Sequence, residues 1–339
     1  MEAEILVEVI RGATVESIHR GHLVVIDGDD KTIAQIGNPD TVTFWRSAAK
    51  PFQALPFLLN GGAERFGFSE KEVALACGSH SGESFHVETT ENMLAKGGFT
   101  ESDLQCGAHF PFDEKTAEQM IKNSVKPTQL HNNCSGKHAA MLAFARHIGA
   151  DVSTYHLLEN PVQQKILETI SLVSGVSKDE IKIGTDGCAL PSFALPIRAM
   201  ARSFASLVCS PQSFDEDLRK VGQRLVSAMI NYPEMIGGTD RLDTLIMQSA
   251  RGKLISKIGA EGVLTAAVLP SEKWTKGLGI AFKIEDGDDK CARAVVLIEL
   301  LRQLEIFDAE TLRYLSPMAI TNRRGNAVGE IVASFALNL

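Results

Sequence analysis

Between residues 4 and 36 the chain alternates apolar and polar positions in short runs, ILVEVIRG, VESIHRGHLVVID and KTIAQIG, broken by Gly- and Asp-containing turns such as GDDK. Period-two alternation bounded by such turns predicts an antiparallel meander of strands. From about residue 47 to 230 the apolar spacing changes to three and four, in KEVALAC, HVETTENMLAKGG, EKTAEQMIKN, KHAAMLAFARHIG, NPVQQKILETISLVSG and FDEDLRKVGQRLVSAMINYP. These segments predict amphipathic helices, several of which end in Gly or meet Pro. Beyond about residue 235 strand patterns return in KLISKIGAEGVLTAAVLP and GLGIAFKIED. A long apolar helix, CARAVVLIELLRQLEIF, and a last strand-like stretch, GEIVASFALNL, follow.

Strands at both ends of a helical middle predict an α+β fold in which the N- and C-terminal segments share one antiparallel sheet. No repeat, low-complexity tract or Pro/Ser-rich linker divides the chain, so residues 1–339 are expected to act as a single unit. Within it, 1–46 plus 235–339 would supply the sheet and its flanking helices, and 47–234 the mostly helical region. At 339 residues and a mean hydropathy of +0.01 the chain is expected to bury a substantial core.

Charge narrows the partners. The 42 acidic residues outnumber 34 basic ones, for a formal net charge of −8, and Lys and Arg are scattered. A nucleic-acid or anionic-membrane surface is therefore disfavoured, and a small solute is the expected partner. The opening MEAEILVEVIRG is acidic where a secretory signal is basic, and no run reaches the roughly 18 to 20 apolar residues of a membrane helix. A cytoplasmic protein is expected. Six cysteines are too sparse for a disulfide framework in so long a chain, and are read as thiols or ligands, mostly buried.

In RSAAKPFQALP, Ser47 and Lys50 stand three apart and would share one side of a helical turn. A neutral Lys50 could then take the proton of Ser47, and burial or neighbouring cations would keep it neutral. Ser47 near a helix start would also see unpaired backbone N–H groups suited to an oxyanion. Pro51 disfavours helical geometry at Lys50, which moves the expected helix start a residue or two later. A solvated helix end is the simpler reading of the motif. Downstream, ACGSHSGESFH holds Ser79, His80 and Ser81 in a Gly-bracketed polar cluster, and SKIGAEG puts Lys257 and Gly259 on a predicted strand. An ordinary polar loop and an exposed strand lysine are the simpler readings of these. S-x-x-K, then Ser-x-Ser, then Lys-x-Gly is nevertheless the order found in penicillin-recognising serine hydrolases.

HNNCSGKHAAML carries Cys134 and Lys137 three apart, with His131 and His138 alongside, at the start of a predicted helix. Cys188 sits in GTDGCALPSFALP, read as a Gly/Pro-rich loop that also offers Thr185 and Asp186. Two thiolates and a nitrogen would suit zinc, but no C-x-x-C pair supports it, and helix-start packing by a small apolar cysteine is the simpler reading.

Taken in order, VEVIRGATVESIHRGH, RSAAKPFQALP, CGSHSGE with His86, HNNCSGKHAAML, GTDGCALPSFALP and SKIGAEG resemble the L-asparaginases of the Rhizobium etli type over most of the chain. The resemblance implies a serine β-lactamase/penicillin-binding-protein-like fold, a homodimer, and hydrolysis of L-asparagine to L-aspartate and ammonia. It also implies two Ser-Lys tandems in one pocket, Ser47 with Lys50 and Ser79 with Lys257. Beside them it implies a zinc ion held by Cys134, Lys137, Cys188 and water. Whether that ion positions substrate or acts as a Lewis acid the resemblance leaves open. Arg46, His138 and Asp186 match pocket positions that would orient the substrate or the metal's water. Ser47 is expected to attack with Lys50 as base, and the reversed assignment, Ser79 with Lys257, is the alternative. Two other readings remain: another serine amidohydrolase, such as a β-lactamase or peptidase, and a non-catalytic zinc- or amino-acid-binding protein. The absence of an export signal argues against the first, and intact Ser-Lys tandems against the second.

Overall fold

The computed structural model describes residues 2–209, 211, 214–308, 311 and 318–339. It opens with strands β1 (Glu4–Arg11), β2 (Thr14–Asp27), β3 (Thr32–Ile36) and β4 (Val42–Phe44). Helices α1 (Lys50–Leu59), α2 (Gly62–Phe66), α3 (Glu70–Ala76), α4 (Ser84–Gly97), α5 (Glu114–Lys122), α6 (Ser135–Ile148) and α7 (Pro161–Ser174) follow. Next come β5 (Lys182–Thr185), β6 (Pro191–Pro196), α8 (Ile197–Cys209), α9 (Glu216–Asn231), α10 (Pro233–Ile236) and α11 (Leu242–Ala250). The remainder is β7 (Leu254–Ile258), β8 (Val263–Val268), β9 (Leu278–Ile284), α12 (Ala292–Gln303), β10 (Met318–Thr321) and β11 (Ala327–Ala333).

The chain divides into two compact units. A sheet unit holds Met1–Trp45, Leu195–Cys209 and Ser249–Leu339, and a helical unit holds Arg46–Ala194 and Ser210–Gln248. In the sheet unit the strand order is β10-β11-β1-β2-β9-β8-β7, with β3 on β2. The pairings are antiparallel, so N- and C-terminal segments do share one sheet, joined where β1 meets β11 and where β2 meets β9. The GDDK turn closes β2 onto β3 with Asp30 at φ 66° and the Asp27 amide donating to the Lys31 carbonyl. The second half of β2, LVVI, and all of β8, VLTAAV, are buried, as unbroken apolar runs without alternation should be.

Two boundaries differ from expectation. Residues 195–209 belong to the sheet unit, because α8 lies across β2, β8 and β9. That approach depends on a missing side chain: a Cβ on Gly279 of β9 would stand 2.0 Å from the Ala201 carbonyl oxygen of α8. The other boundary falls after Gln248 and not near 235. Ile236 accepts from the Ser79 amide at 2.7 Å and Pro233 from Thr244 Oγ1 at 3.0 Å, which ties this stretch to the helical unit.

In the helical unit the predicted helices form with their expected ends. Ser69 and Glu72 make a capping box for α3, and Asn160 caps α7 just before Pro161. Helices α4, α6 and α7 stop at Gly98, Gly149 and Gly175, all left-handed. Helix α6, however, is not amphipathic. Ser135 to Ala145 are all buried, with α1, α2, α3, α4 and α7 around it. The segment 182–196, read as part of a helical region with a loop, is a hairpin: Lys182 pairs with Ala194 and Thr185 with Pro191. Among the described residues no helix is long and apolar enough to cross a membrane.

Candidate active site

Helix α1 begins at Lys50 and not at Ser47, with Pro51 in the first turn, where its missing N–H costs nothing. The preceding Arg46–Ala49 is a 3-10 turn. Lys50 follows this turn directly, as the first residue of α1. Arg46 carries φ 55°, a left-handed conformation that costs a non-glycine residue roughly 1–2 kcal/mol. Its side chain is held in compensation: Nε and Nη2 donate to Asp186 Oδ1 at 3.2 and 3.0 Å.

Lys50 is fully buried. Its Nζ donates to the Gly78 carbonyl at 2.5 Å and the Asn133 carbonyl at 3.1 Å. Burial pushes its pKa down, and the Lys137 ammonium adds to that, against the raising effect of Cys134 and Cys188. A neutral amine has two hydrogens and one lone pair. The two carbonyls can take those hydrogens, and the third direction meets the Cys134 side chain, which also hydrogen-bonds this amine.

The Gly78 carbonyl immediately precedes Ser79. Ser79 is buried, and its Oγ has no hydrogen-bond partner. Backbone geometry there is imposed by close contact, since a Cβ on Gly78 would lie 2.3 Å from the Met235 carbonyl oxygen. Behind Ser79 lies a histidine layer. His80 and His86 stack at 4.8 Å between ring centroids. The Gly82 amide donates to His80 Nδ1, so His80 Nε2 carries the hydrogen given to Ser135 Oγ at 2.9 Å. His86 Nε2 donates to the Glu234 carbonyl at 2.9 Å. Burial drives both imidazoles down, His80 further still by the His86 and Lys50 charges, and His86 to about 4.

Cys134 and Lys137, at the start of α6, meet Cys188 at the tip of the β5–β6 hairpin. All three are buried. The Cys134 thiol hydrogen-bonds the Cys188 sulfur, which lowers Cys188 to about 5 and raises Cys134 to about 12. The pair thus carries one proton and one negative charge. Lys137 Nζ donates to Cys188 Sγ at 3.4 Å. Burial disfavours its charge, but the two sulfurs and Asp186 outweigh burial and raise its pKa. Asp186 is held ionised below its usual range: burial opposes this, and Lys137 and Arg46 prevail. His138 is also buried, its Nδ1 bonded to Tyr155 Oη at 2.6 Å and its Nε2 without a partner.

Two sulfurs and an amine nitrogen form a donor set that a zinc-class ion could use, on condition that Lys137 gives up its proton. The orphaned Nε2 of His138 fits a ligand or water that the protein alone does not supply. Among the described residues no His, Asp or Glu joins both sulfurs at ligand spacing, so Lys137 is needed to complete the set.

Arg46, Lys50, Cys134, Lys137, Asp186 and Cys188 therefore form one connected cluster within the helical unit. His138 lies within its electrostatic reach, and the backbone of Ser79 adjoins it. Lys257 belongs to the sheet unit. It is a fully buried residue of β7 whose Nζ donates to the Ile258 carbonyl at 3.0 Å, so it is not an exposed strand lysine. Sequence reasoning missed Tyr155, which also accepts from the Gln105 amide at 3.0 Å, and the carbonyls of Gly78 and Asn133. Carbonyls have no sequence signal, and Tyr155 lies outside every motif.

A buried lysine of lowered pKa, two buried sulfurs and an arginine–aspartate pair are thus gathered in one place. The chain belongs to the L-asparaginase II family, whose sequence model matches residues 7–333, and it is an amidohydrolase. No curated protein matches it. Among solved structures it is similar to a probable glutaminase from Bacillus subtilis complexed with 6-diazo-5-oxo-L-norleucine, at 14% identity and TM-score 0.39 over 84% of each chain. A covalent complex of a Bacillus subtilis glutaminase with 5-oxo-L-norleucine gives 13% identity and TM-score 0.41, over 84% of this chain and 88% of that one. A carbapenemase from Vibrio cholerae gives 12% identity and TM-score 0.36, over 80% and 88%. At those identities and scores they add nothing to the family assignment.

The histidine layer makes stability depend on pH. His80 and His86 are neutral when folded but titrate near 6.5 when unfolded, so the unfolded chain binds more protons below that value. The contribution of these two histidines should be full above pH 6.5 and fall as pH drops toward about 4, the folded value of His86. Thermal unfolding across this window should show the decline, and His86→Gln should make it shallower. An unchanged slope in the variant would contradict the assignment.

Proposed function

We propose that this amidohydrolase is an L-asparaginase, releasing ammonia from L-asparagine through an acyl-enzyme on Ser47. The observation that carries the reading is Lys50, a fully buried amine whose pKa burial pushes down, bonded to the carbonyl that precedes Ser79. Lys50 takes the Ser47 proton as Oγ attacks the side-chain carboxamide carbon. The same proton passes to the departing nitrogen, which leaves as ammonia. Lys50 then deprotonates water, which hydrolyses the ester and restores Ser47. The first backbone N–H groups of the 3-10 turn have no intrahelical partner and are candidates to bind the oxyanion.

Substrate class is supported by Arg46 and Asp186. Adjacent opposite charges match the α-carboxylate and α-ammonium of a free amino acid. Ser79, buried and unpartnered at Oγ, is assigned to hold substrate and relay protons. The assignment of Lys257 to that second tandem rests on the SKIGAEG motif alone. Cytoplasmic location and a homodimer rest on the sequence in the same way.

Cys134, Lys137 and Cys188 would hold zinc, with His138 beside it to orient bound water. The ion would supply positive charge for substrate orientation. The chain's own part would be to bring the two sulfurs and the Lys137 nitrogen together and to release their protons on binding.

Ammonia release from L-asparagine and L-glutamine tests the reading. Ser47→Ala should lower turnover of asparagine by about 10³-fold or more while leaving the fold intact. Retention of a tenth of the rate, with loss in Ser79→Ala instead, would reverse the serine roles. No ammonia from the native enzyme would rule out both amino acids as substrates. For the metal, Cys188→Ser should reduce bound zinc by elemental analysis, and an undiminished content would remove Cys188 from the ligand set.

A further inference from the structure

On the sheet unit, His19 of β2, within the VEVIRGATVESIHRGH stretch, meets the turn between β9 and α12. One ligand atom each from His19, Asp288 and Cys291 lies within 4.8 Å of the others. Cys291 Sγ is 3.9 Å from His19 Nε2 and 3.3 Å from Asp288 Oδ1. A tetrahedral ion with bonds of about 2.0–2.3 Å keeps its ligand atoms about 3.3–3.8 Å apart, so the three need to shift little to close on one.

The tautomer is already set. His19 Nδ1 bonds Asp286 Oδ2 at 2.7 Å, and hydrogen donation there leaves the Nε2 lone pair turned to Cys291. A carboxylate behind an imidazole in this way is the usual support of a metal-bound histidine. The turn is fixed from below: Asp288 Oδ1 accepts from the amides of Cys291 and Ala292 at 2.9 and 2.7 Å. His19, Asp288 and Cys291 are each half-buried, which leaves one side for water. A thiolate and a carboxylate would balance a 2+ ion.

We propose that His19, Asp288 and Cys291 form a divalent-metal site of zinc type, with water in the fourth position and Asp286 positioning the imidazole. The nitrogen, sulfur and oxygen set favours zinc over magnesium or calcium, which take oxygen ligands alone. Bound metal would tie β2 to the start of α12. Binding displaces the Cys291 thiol proton to solvent. The site shares no residue with the proposed active site, so each stands or falls separately.

Cobalt(II) is the probe, because a thiolate bonded to it absorbs in the near ultraviolet. Chelator-treated Cys134→Ser/Cys188→Ser protein, checked for folding by circular dichroism, should bind one equivalent with that charge-transfer band. Zinc should then displace the cobalt. Cys291→Ser should abolish the band, and Asp286→Asn should keep it while weakening cobalt binding by about tenfold or more. Should the double variant not fold, the native chain titrated with zinc should bind one equivalent more than its Cys291→Ser form. No band in the folded double variant, a band that survives Cys291→Ser, or equal zinc content in native and Cys291→Ser protein would each overturn the site.

Discussion

The chemistry of the helical unit turns on the burial of one amine. Water would hold Lys50 protonated and useless as a base; enclosed by protein, it meets two backbone carbonyls and the charge of Lys137. Two of its neighbours come from distant parts of the chain, the loop after α3 and the start of α6. Their positions in turn depend on local conditions: Gly78 must lack a side chain to pass Met235, and Gly136 must lack one to pass Leu75, whose carbonyl oxygen a Cβ would approach to 2.9 Å. The lowered basicity of Lys50 is thus a property of the whole helical unit more than of the S-x-x-K motif.

The sulfur pair bears on the same amine. Cys134 and Cys188 raise the pKa of Lys50 while Lys137 lowers it, so the charge state of that trio sets how basic Lys50 can be. Asp186 and Arg46 extend the chain of charges to the residue before Ser47. The left-handed Arg46 is where it reaches the backbone: its guanidinium is anchored on the hairpin and its own φ is strained, directly before the proposed nucleophile. On the proposed reading, substrate charge and nucleophile position would be coupled through this one residue.

Much of this was legible in the sequence because it was periodic or dense. Strand alternation at both termini foretold the shared sheet, and HNNCSGKHAAML and GTDGCALPSFALP carried the sulfur–lysine cluster with its residues named. What escaped lacked either signal. The β5–β6 strands are four and six residues long, rich in Gly and Pro, and read as a loop, although Asp186 and Cys188 depend on that hairpin. The 3-10 turn before Lys50 leaves no mark different from an α-helical start. Helix α6 looked amphipathic because its small and polar residues, Ser135, Lys137 and His138, resemble a solvated face; they are buried by serving the site. Tyr155 orients His138 across a gap in sequence that no local pattern spans.

The most direct test of the central claim is a site-resolved titration of Lys50. Lysine labelled with carbon-13 at Cε, followed by NMR from neutral to alkaline pH and assigned with Lys50→Met, reports the proton on that one amine. The account predicts a midpoint clearly below the ordinary lysine value, so that Lys50 is already partly neutral on the alkaline side of neutrality. A midpoint at or above the ordinary value would mean that Lys50 is an ammonium in the resting enzyme, and the proposed base would have to be found elsewhere.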